Sequence, residues 1–120
     1  MRLGRILLYV RDIEETAQFY QRFFGFEVSQ RDDDRIVELF GPNGGANIML
    51  HPAARGQRLG RSTVKLVFDV EDVDAFCRDS AAAGLEFGPV HRAEGYAFAN
   101  AKDPSGNPIQ VSSRAVRLSI

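Results

Sequence analysis

Few side chains in this 120-residue chain are of a kind that does chemistry. Tyr9, His51 and Lys65 are the acid–base candidates, since each can hold or pass a proton beside a bound molecule. No nucleophile, base and orienting group can be assembled around them, so covalent catalysis has no support. Each of the three lies in a strand-like run, and alternation along those runs gives each its neighbours. Tyr9 shares a face with Arg5 and Leu7, His51 with Asn47 and Met49, Lys65 with Thr63 and Val67, and Gln110 with Ser112. These faces are expected to line one concave surface. Its lining would be mixed, with Arg5 and Lys65 as cations and Asp69 near a strand end as the clear carboxylate. An anionic group would offset the desolvation of the two cations through charge-assisted bonds, which points to a small, partly aromatic or apolar ligand bearing an acid. In the alternative both cations snorkel to solvent at the rim and leave an apolar cup. His91 falls in a turn region outside this surface.

The elements that must carry these residues come from one unit used twice. Val10-Arg11-Asp12 leads into Ile13 to Phe24 and stops at Gly25-Phe26; Val70-Glu71-Asp72 leads into Val73 to Ala83 and stops at Gly84-Leu85. Each begins with Val-x-Asp after a strand-like run, continues with apolar residues at helical spacing, and ends at glycine before a new strand-like run. In the first, Asp12 can accept from the free amides of the first turn and Glu15 three places on completes a capping box. The apolar face reads Ile13, Thr16 or Ala17, Tyr20, Phe23 and Phe24, and Gly25 supplies the left-handed residue that ends the helix.

Strands are expected at Ile6–Val10, Phe26–Gln30, Arg35–Phe40 and Ala46–His51 in the first unit. In the second they fall at Thr63–Val70, Leu85–Val90, Tyr96–Asn100 and Ile109–Ser112. Asp32-Asp33-Asp34, Gly41 to Gly45 and Asp103 to Asn107 mark turns. The fold class is therefore α+β: two tandem βαβββ modules forming a curved mixed sheet, with the helices on its convex side and a ligand site in the cup. Residues 1–120 form one domain, with half-units at about 1–53 and 62–120 and a linker at about 54–61.

Fifteen Lys and Arg nearly balance sixteen Asp and Glu, and the basic residues form no block, which argues against nucleic acid or an anionic membrane as a partner. The single cysteine, Cys77, excludes an intramolecular disulfide and a cysteine-cluster metal site; it reads as a small core residue on the second helix. With no leader-like N-terminus and no apolar run long enough to span a bilayer, the expected compartment is the cytoplasm.

Arg11-Asp12 into Phe19-Tyr20, then Phe24-Gly25-Phe26, and later Lys102-Asp103-Pro104-Ser105-Gly106-Asn107-Pro108-Ile109-Gln110 resemble the vicinal-oxygen-chelate superfamily of glyoxalases, extradiol dioxygenases and bleomycin-resistance proteins. The resemblance covers essentially the whole chain and implies a curved sheet around a small-molecule ligand, commonly completed in a homodimer. In its metal-dependent members a divalent ion is held by His or Glu at four strand positions. Here those positions fall on Arg5, Met49, Thr63 and Gln110. Arginine cannot give up its proton to bind a cation, Met is soft, and Thr and Gln are weak neutral donors, so no metal and no other cofactor is assigned. A relocated partial site could be built on His51 and Glu38. Two function classes follow. One is a metal-independent binding protein of the bleomycin-resistance type; the other is an enzyme, through a relocated metal or a metal-free lyase, isomerase or dioxygenase-like chemistry on His51, Tyr9 and Lys65.

Overall fold

A computed structural model describes residues 1–117. Its elements run β1 (Arg5–Val10), α1 (Ile13–Phe24), β2 (Glu27–Ser29), β3 (Val37–Phe40), β4 (Asn47–Pro52), β5 (Leu66–Asp69), α2 (Val73–Ala82), β6 (His91–Ala93), β7 (Tyr96–Lys102) and β8 (Pro108–Ser112), followed by a 3₁₀ turn at Arg114–Val116. Two tandem βαβββ modules are present. Where the sequence pattern suggested one curved sheet, the hydrogen-bonded ladders form two four-stranded mixed sheets, ordered β1-β4-β3-β2 and β5-β8-β7-β6. The order is the same in each: the first strand of a module pairs parallel with its last, and the remaining pairs are antiparallel.

The helix ends follow from local chemistry. Asp12 and Asp72 sit in extended backbone and each accepts from the amide three residues on, Glu15 N and Ala75 N, both at 3.0 Å. These bonds satisfy amides that have no partner within the helix. At the far end of α1, Gly25 takes a left-handed φ of 74°, which only glycine adopts at no steric cost. The turned chain lets Gly25 N and Phe26 N reach Gln21 O and Tyr20 O.

Two compact units result, one spanning Met1–Arg61 together with Asp103–Asn107, the other Ser62–Lys102 and the chain from Pro108. The turn between β7 and β8 thus belongs with the first module. Val10, Tyr20, Val37, Leu39, Ile48 and Leu50 make the core of the first unit, and Leu66, Val73, Ala99, Ile109 and Val111 that of the second. On β1 and β4 the more buried residues, Ile6, Leu8, Val10, Ile48 and Leu50, alternate with Arg5, Leu7, Tyr9, Asn47, Met49 and His51.

Two strand assignments need correction. The strand expected at Thr63–Val70 starts only at Leu66, because the Ser62 hydroxyl accepts from Val64 N at 3.0 Å and turns the chain there. Thr63 and Lys65 therefore precede the sheet. The strand expected at Leu85–Val90 is absent, and His91–Ala93, read as a turn region, pairs with β7 instead. Pro89 carries no amide for a ladder, and Gly88 N makes an isolated bond to Asn100 O at 2.8 Å. Regular pairing resumes beyond the proline and turns back at Gly95, whose φ is 81°.

Candidate functional site

In the second unit the open face of the sheet forms a cavity of about 610 Å³. Its walls come from Val67 and Asp69 on β5, Gln110 and Ser112 on β8, and Tyr96 and Phe98 on β7, with Arg114, Ala115 and Arg117 beyond the last strand. Ladder register explains the grouping. Asp69 lies opposite Ser112, Ser112 opposite Phe98, and Phe98 opposite His91, so the four form one row across the sheet. Val67, Gln110 and Asn100 form the next.

The rings line up as a stripe. His91 stacks on Phe98 with centroids 5.1 Å apart and planes 29° apart, and Phe98 lies 6.1 Å from Tyr96. Arg114 donates to the Tyr96 hydroxyl at 2.8 Å, and its guanidinium carbon sits 5.0 Å from the ring centre. The Arg117 guanidinium stands 5.6 Å from the same centre. Two cations held against one electron-rich ring are favourable in themselves. The backbone that carries them is pinned at three points: Ser113 Oγ accepts from Ala97 N at 2.9 Å, Ser113 N donates to Ala97 O at 3.0 Å, and Arg114 N donates to Ser112 Oγ at 3.1 Å.

The residues singled out from sequence fall into three groups. Val67, Gln110 and Ser112 line this cavity. Lys65, although outside the strand, extends Nζ to Asn100 Oδ1 at 3.0 Å, an atom that also accepts from Gln110 Nε2 at 2.9 Å. Thr63 is exposed in the segment before β5 and is not among the residues that line this cavity.

The third group shares the open face of the first sheet. Arg5, Leu7 and Tyr9 on β1 lie directly beside Asn47, Met49 and His51 on β4. Arg5 Nε bonds to Glu38 Oε1 at 3.1 Å, and Asn47 Oδ1 accepts from Gly41 N at 3.0 Å to close the β3–β4 turn. His51 Nδ1 lies 2.8 Å from Pro52 O. A carbonyl can only accept, so Nδ1 is the donor in this bond and Nε2 is the ring nitrogen left facing away from it. Its ring is tilted against Tyr9, 5.4 Å away.

A divalent ion finds no usual donor set in Arg5, Met49, Thr63 and Gln110. Nor do three His, Cys, Asp or Glu gather anywhere among the described residues. Glu38 shares the open face with Met49, its neighbour across the ladder, but its carboxylate is engaged by Arg5.

The Asp103–Asn107 turn, part of the later motif that carries the resemblance, is architectural. Asp103 is buried. Its Oδ1 accepts from Ser105 N and Asn107 N, both at 2.9 Å, and its Oδ2 accepts from Asn107 Nδ2 at 3.0 Å and from the Tyr20 hydroxyl at 2.7 Å. Ser105 Oγ in turn accepts from Arg11 N at 3.2 Å and lies 3.2 Å from Thr16 Oγ1. Burial, followed by the charge and hydrogen bond of Asp103, pushes the Tyr20 phenol far above its ordinary range. Tyr20 is a fixed donor and no proton shuttle. Cys77 is half-buried, and burial, then the charge of Asp74, raises its thiol and disfavours the reactive thiolate.

Sequence reasoning missed Tyr96, Phe98, Arg114 and Arg117 as site residues. Alternation from Tyr96 would have placed Tyr96, Phe98 and Asn100 on one face; the two arginines follow the last strand and carry no periodic signal.

Comparison with known proteins agrees with this architecture. The family model described as Glyoxalase/Bleomycin resistance protein/Dioxygenase superfamily matches residues 2–111. No curated protein matches the sequence significantly. Among solved structures, the antibiotic-binding protein TnmS3 from Streptomyces sp. CB03234 superposes with a TM-score of 0.75 at 20% identity, over 92% of this chain and 93% of that one. A lactoylglutathione lyase from Agrobacterium tumefaciens gives 0.71 at 21% identity, over 92% of each chain. A virulence protein from Salmonella typhimurium gives 0.70 at 27% identity, over 93% and 95%. No helix of the described chain is long and apolar enough to cross a membrane.

Proposed function

The chain belongs to the glyoxalase/bleomycin resistance protein/dioxygenase superfamily, and from that premise we propose that it binds and sequesters a small aromatic or acidic molecule without the divalent metal of its metal-dependent relatives. The observation that carries this reading is the cavity of the second unit, where Tyr96 and Phe98 offer flat apolar surface and Arg114 and Arg117 stand against the Tyr96 ring. Stacking favours a planar ligand, and the guanidinium pair favours an acid on it. A volume of about 610 Å³ suits a drug-sized molecule. That TnmS3 is an antibiotic-binding protein supports the same class of activity. Action in the cytoplasm as a homodimer belongs to this reading; exposed Leu7, Tyr9 and Phe40 on the open face of the first sheet are the apolar surface in its favour.

Titration calorimetry with a panel of aromatic carboxylates and their neutral amides tests it. The acids are expected to bind more tightly than the amides. Tyr96→Ala is expected to cost the best of them about 1–2 kcal/mol, roughly five- to thirtyfold in Kd. Equal affinities for acid and amide would remove the acid from the proposal, and binding indifferent to Tyr96→Ala would remove the site.

A second reading, an enzyme of the same superfamily, rests on His51, whose Nδ1 bond to Pro52 O leaves Nε2 free to take a proton beside Tyr9. Turnover of a bound ligand that disappears in His51→Ala would favour it. Turnover that persists in that variant would exclude this base.

A further inference from the structure

The cavity of the second unit carries charge of both signs at separate places, and this separation specifies the ligand more narrowly than an aromatic acid. Asp69 lines the cavity from β5. Its carboxylate makes no hydrogen bond or ion pair with any described residue. Arg114 and Arg117 line the same cavity, yet neither turns to Asp69, because both are held at the Tyr96 ring, Arg114 also by its bond to the hydroxyl. Ser112 lies directly opposite Asp69, and Arg114 follows it by two residues. With neighbouring strands about 4.8 Å apart, the backbones of Asp69 and Arg114 stand on the order of 8 Å from each other. Ser112 and Phe98 continue the row of Asp69 across the sheet.

A ligand that fills this space strips water from both ends. An apolar group laid over Asp69 would leave a desolvated carboxylate without a partner, which is costly. A cationic group there gains a charge-assisted bond instead. At the other end the same argument asks for an anion against the two guanidiniums. We propose that the ligand is an amphoteric aromatic molecule, a flat ring system with an ammonium-type cation at one end and a carboxylate or similar anion at the other. Its cation sits at Asp69, its ring on Phe98 and Tyr96, and its acid at Arg114 and Arg117. The pattern is selective against simple aromatic acids and simple aromatic amines, since each satisfies one end and leaves the other charge covered and unpaired.

This inference rests on the cavity being the binding site, and the test separates the two. Four matched probes are titrated by calorimetry into the whole protein at neutral pH: para-(aminomethyl)benzoate, para-methylbenzoate, para-(aminomethyl)benzamide and para-methylbenzamide, together with their longer biphenyl homologues. The expected order places the amphoteric compound first, about tenfold tighter than either singly charged one, with the neutral amide last. In Asp69→Asn the advantage of the aminomethyl over the methyl compound is expected to collapse. A preference for methylbenzoate over aminomethylbenzoate in the unaltered protein would overturn the amphoteric assignment and leave the cavity reading standing. So would an aminomethyl advantage that survives Asp69→Asn. Absence of binding by all the probes would overturn both.

Discussion

The two modules share one chain path and strand order, yet their open faces are put together differently. On the first sheet the polar side chains are engaged within the module: Arg5 holds Glu38, Asn47 closes a turn, and His51 spends one nitrogen on Pro52 O. On the second sheet Asp69 has no described partner, and the arginines are held on a ring at some distance from it. The helices differ as well. α1 buries Thr16, Ala17 and Tyr20, whereas α2 buries only Val73 and Ser80. The two modules therefore share a frame and differ in how their open faces are bonded. The first module invests its polar groups in holding itself and the Asp103–Asn107 turn; the second ties Lys65, Asn100, Gln110 and Arg114 into bonds of its own but leaves the Asp69 carboxylate without a described partner at the cavity. A charge already satisfied within the protein gains little from a ligand, so binding capacity concentrates where satisfaction is incomplete.

The sharpest way to break this contrast is to attack the turn that the first module holds. Asp103→Ala removes the acceptor of four hydrogen bonds and leaves the buried Tyr20 hydroxyl and two backbone amides without it. Urea denaturation is expected to show a loss of about 3 kcal/mol or more. A loss under 1 kcal/mol would mean that the turn is not structural. Tyr20→Phe removes only one donor to a charged acceptor and is expected to cost about 1.5–3 kcal/mol. The pH dependence carries a sign. Because the folded phenol titrates far above its unfolded value of about 10, the folded state holds a proton that the unfolded state has released. Stability is therefore full below about pH 10 and falls as pH rises beyond it. That extra alkaline slope should vanish in Tyr20→Phe, and a slope identical in both proteins would remove Tyr20 as its source.

Features decided within a few residues were legible in the sequence. Asp12 and Asp72 as helix starts, Gly25 as a helix end, and the alternating runs of β1 and β4 all depend on near neighbours, and the structure has them as read. The early end of the Thr63–Val70 run and the shift of pairing from Leu85–Val90 to His91–Ala93 turned on single local competitors, Ser62 and Pro89, that propensity outweighed on paper. Long-range satisfaction was illegible. Tyr20 and Asp103 are 83 residues apart, so nothing nearby announces that a turn motif is a buried anchor. Arg114 and Arg117 line the cavity only because the chain beyond β8 folds back over Tyr96, a placement with no period to detect.

The helix caps offer the finest test of what the duplication kept. Asp12 and Asp72 have nearly the same backbone angles, φ −120° and −119°, and accept at the same distance of 3.0 Å. If local geometry sets the energy, Asp12→Ala and Asp72→Ala should each cost about 1 kcal/mol, within a few tenths of one another, in matched denaturant titrations. The helices they start differ in how much they bury, and a cap on a loosely packed helix can be lost by fraying of the first turn without unfolding the domain. Asp72→Ala would then show less global loss than Asp12→Ala, together with faster amide exchange confined to the start of α2. Equal costs would place the difference between the modules wholly in their open faces. Unequal costs would extend it to the helices, and make the module that carries the cavity also the one that opens more readily.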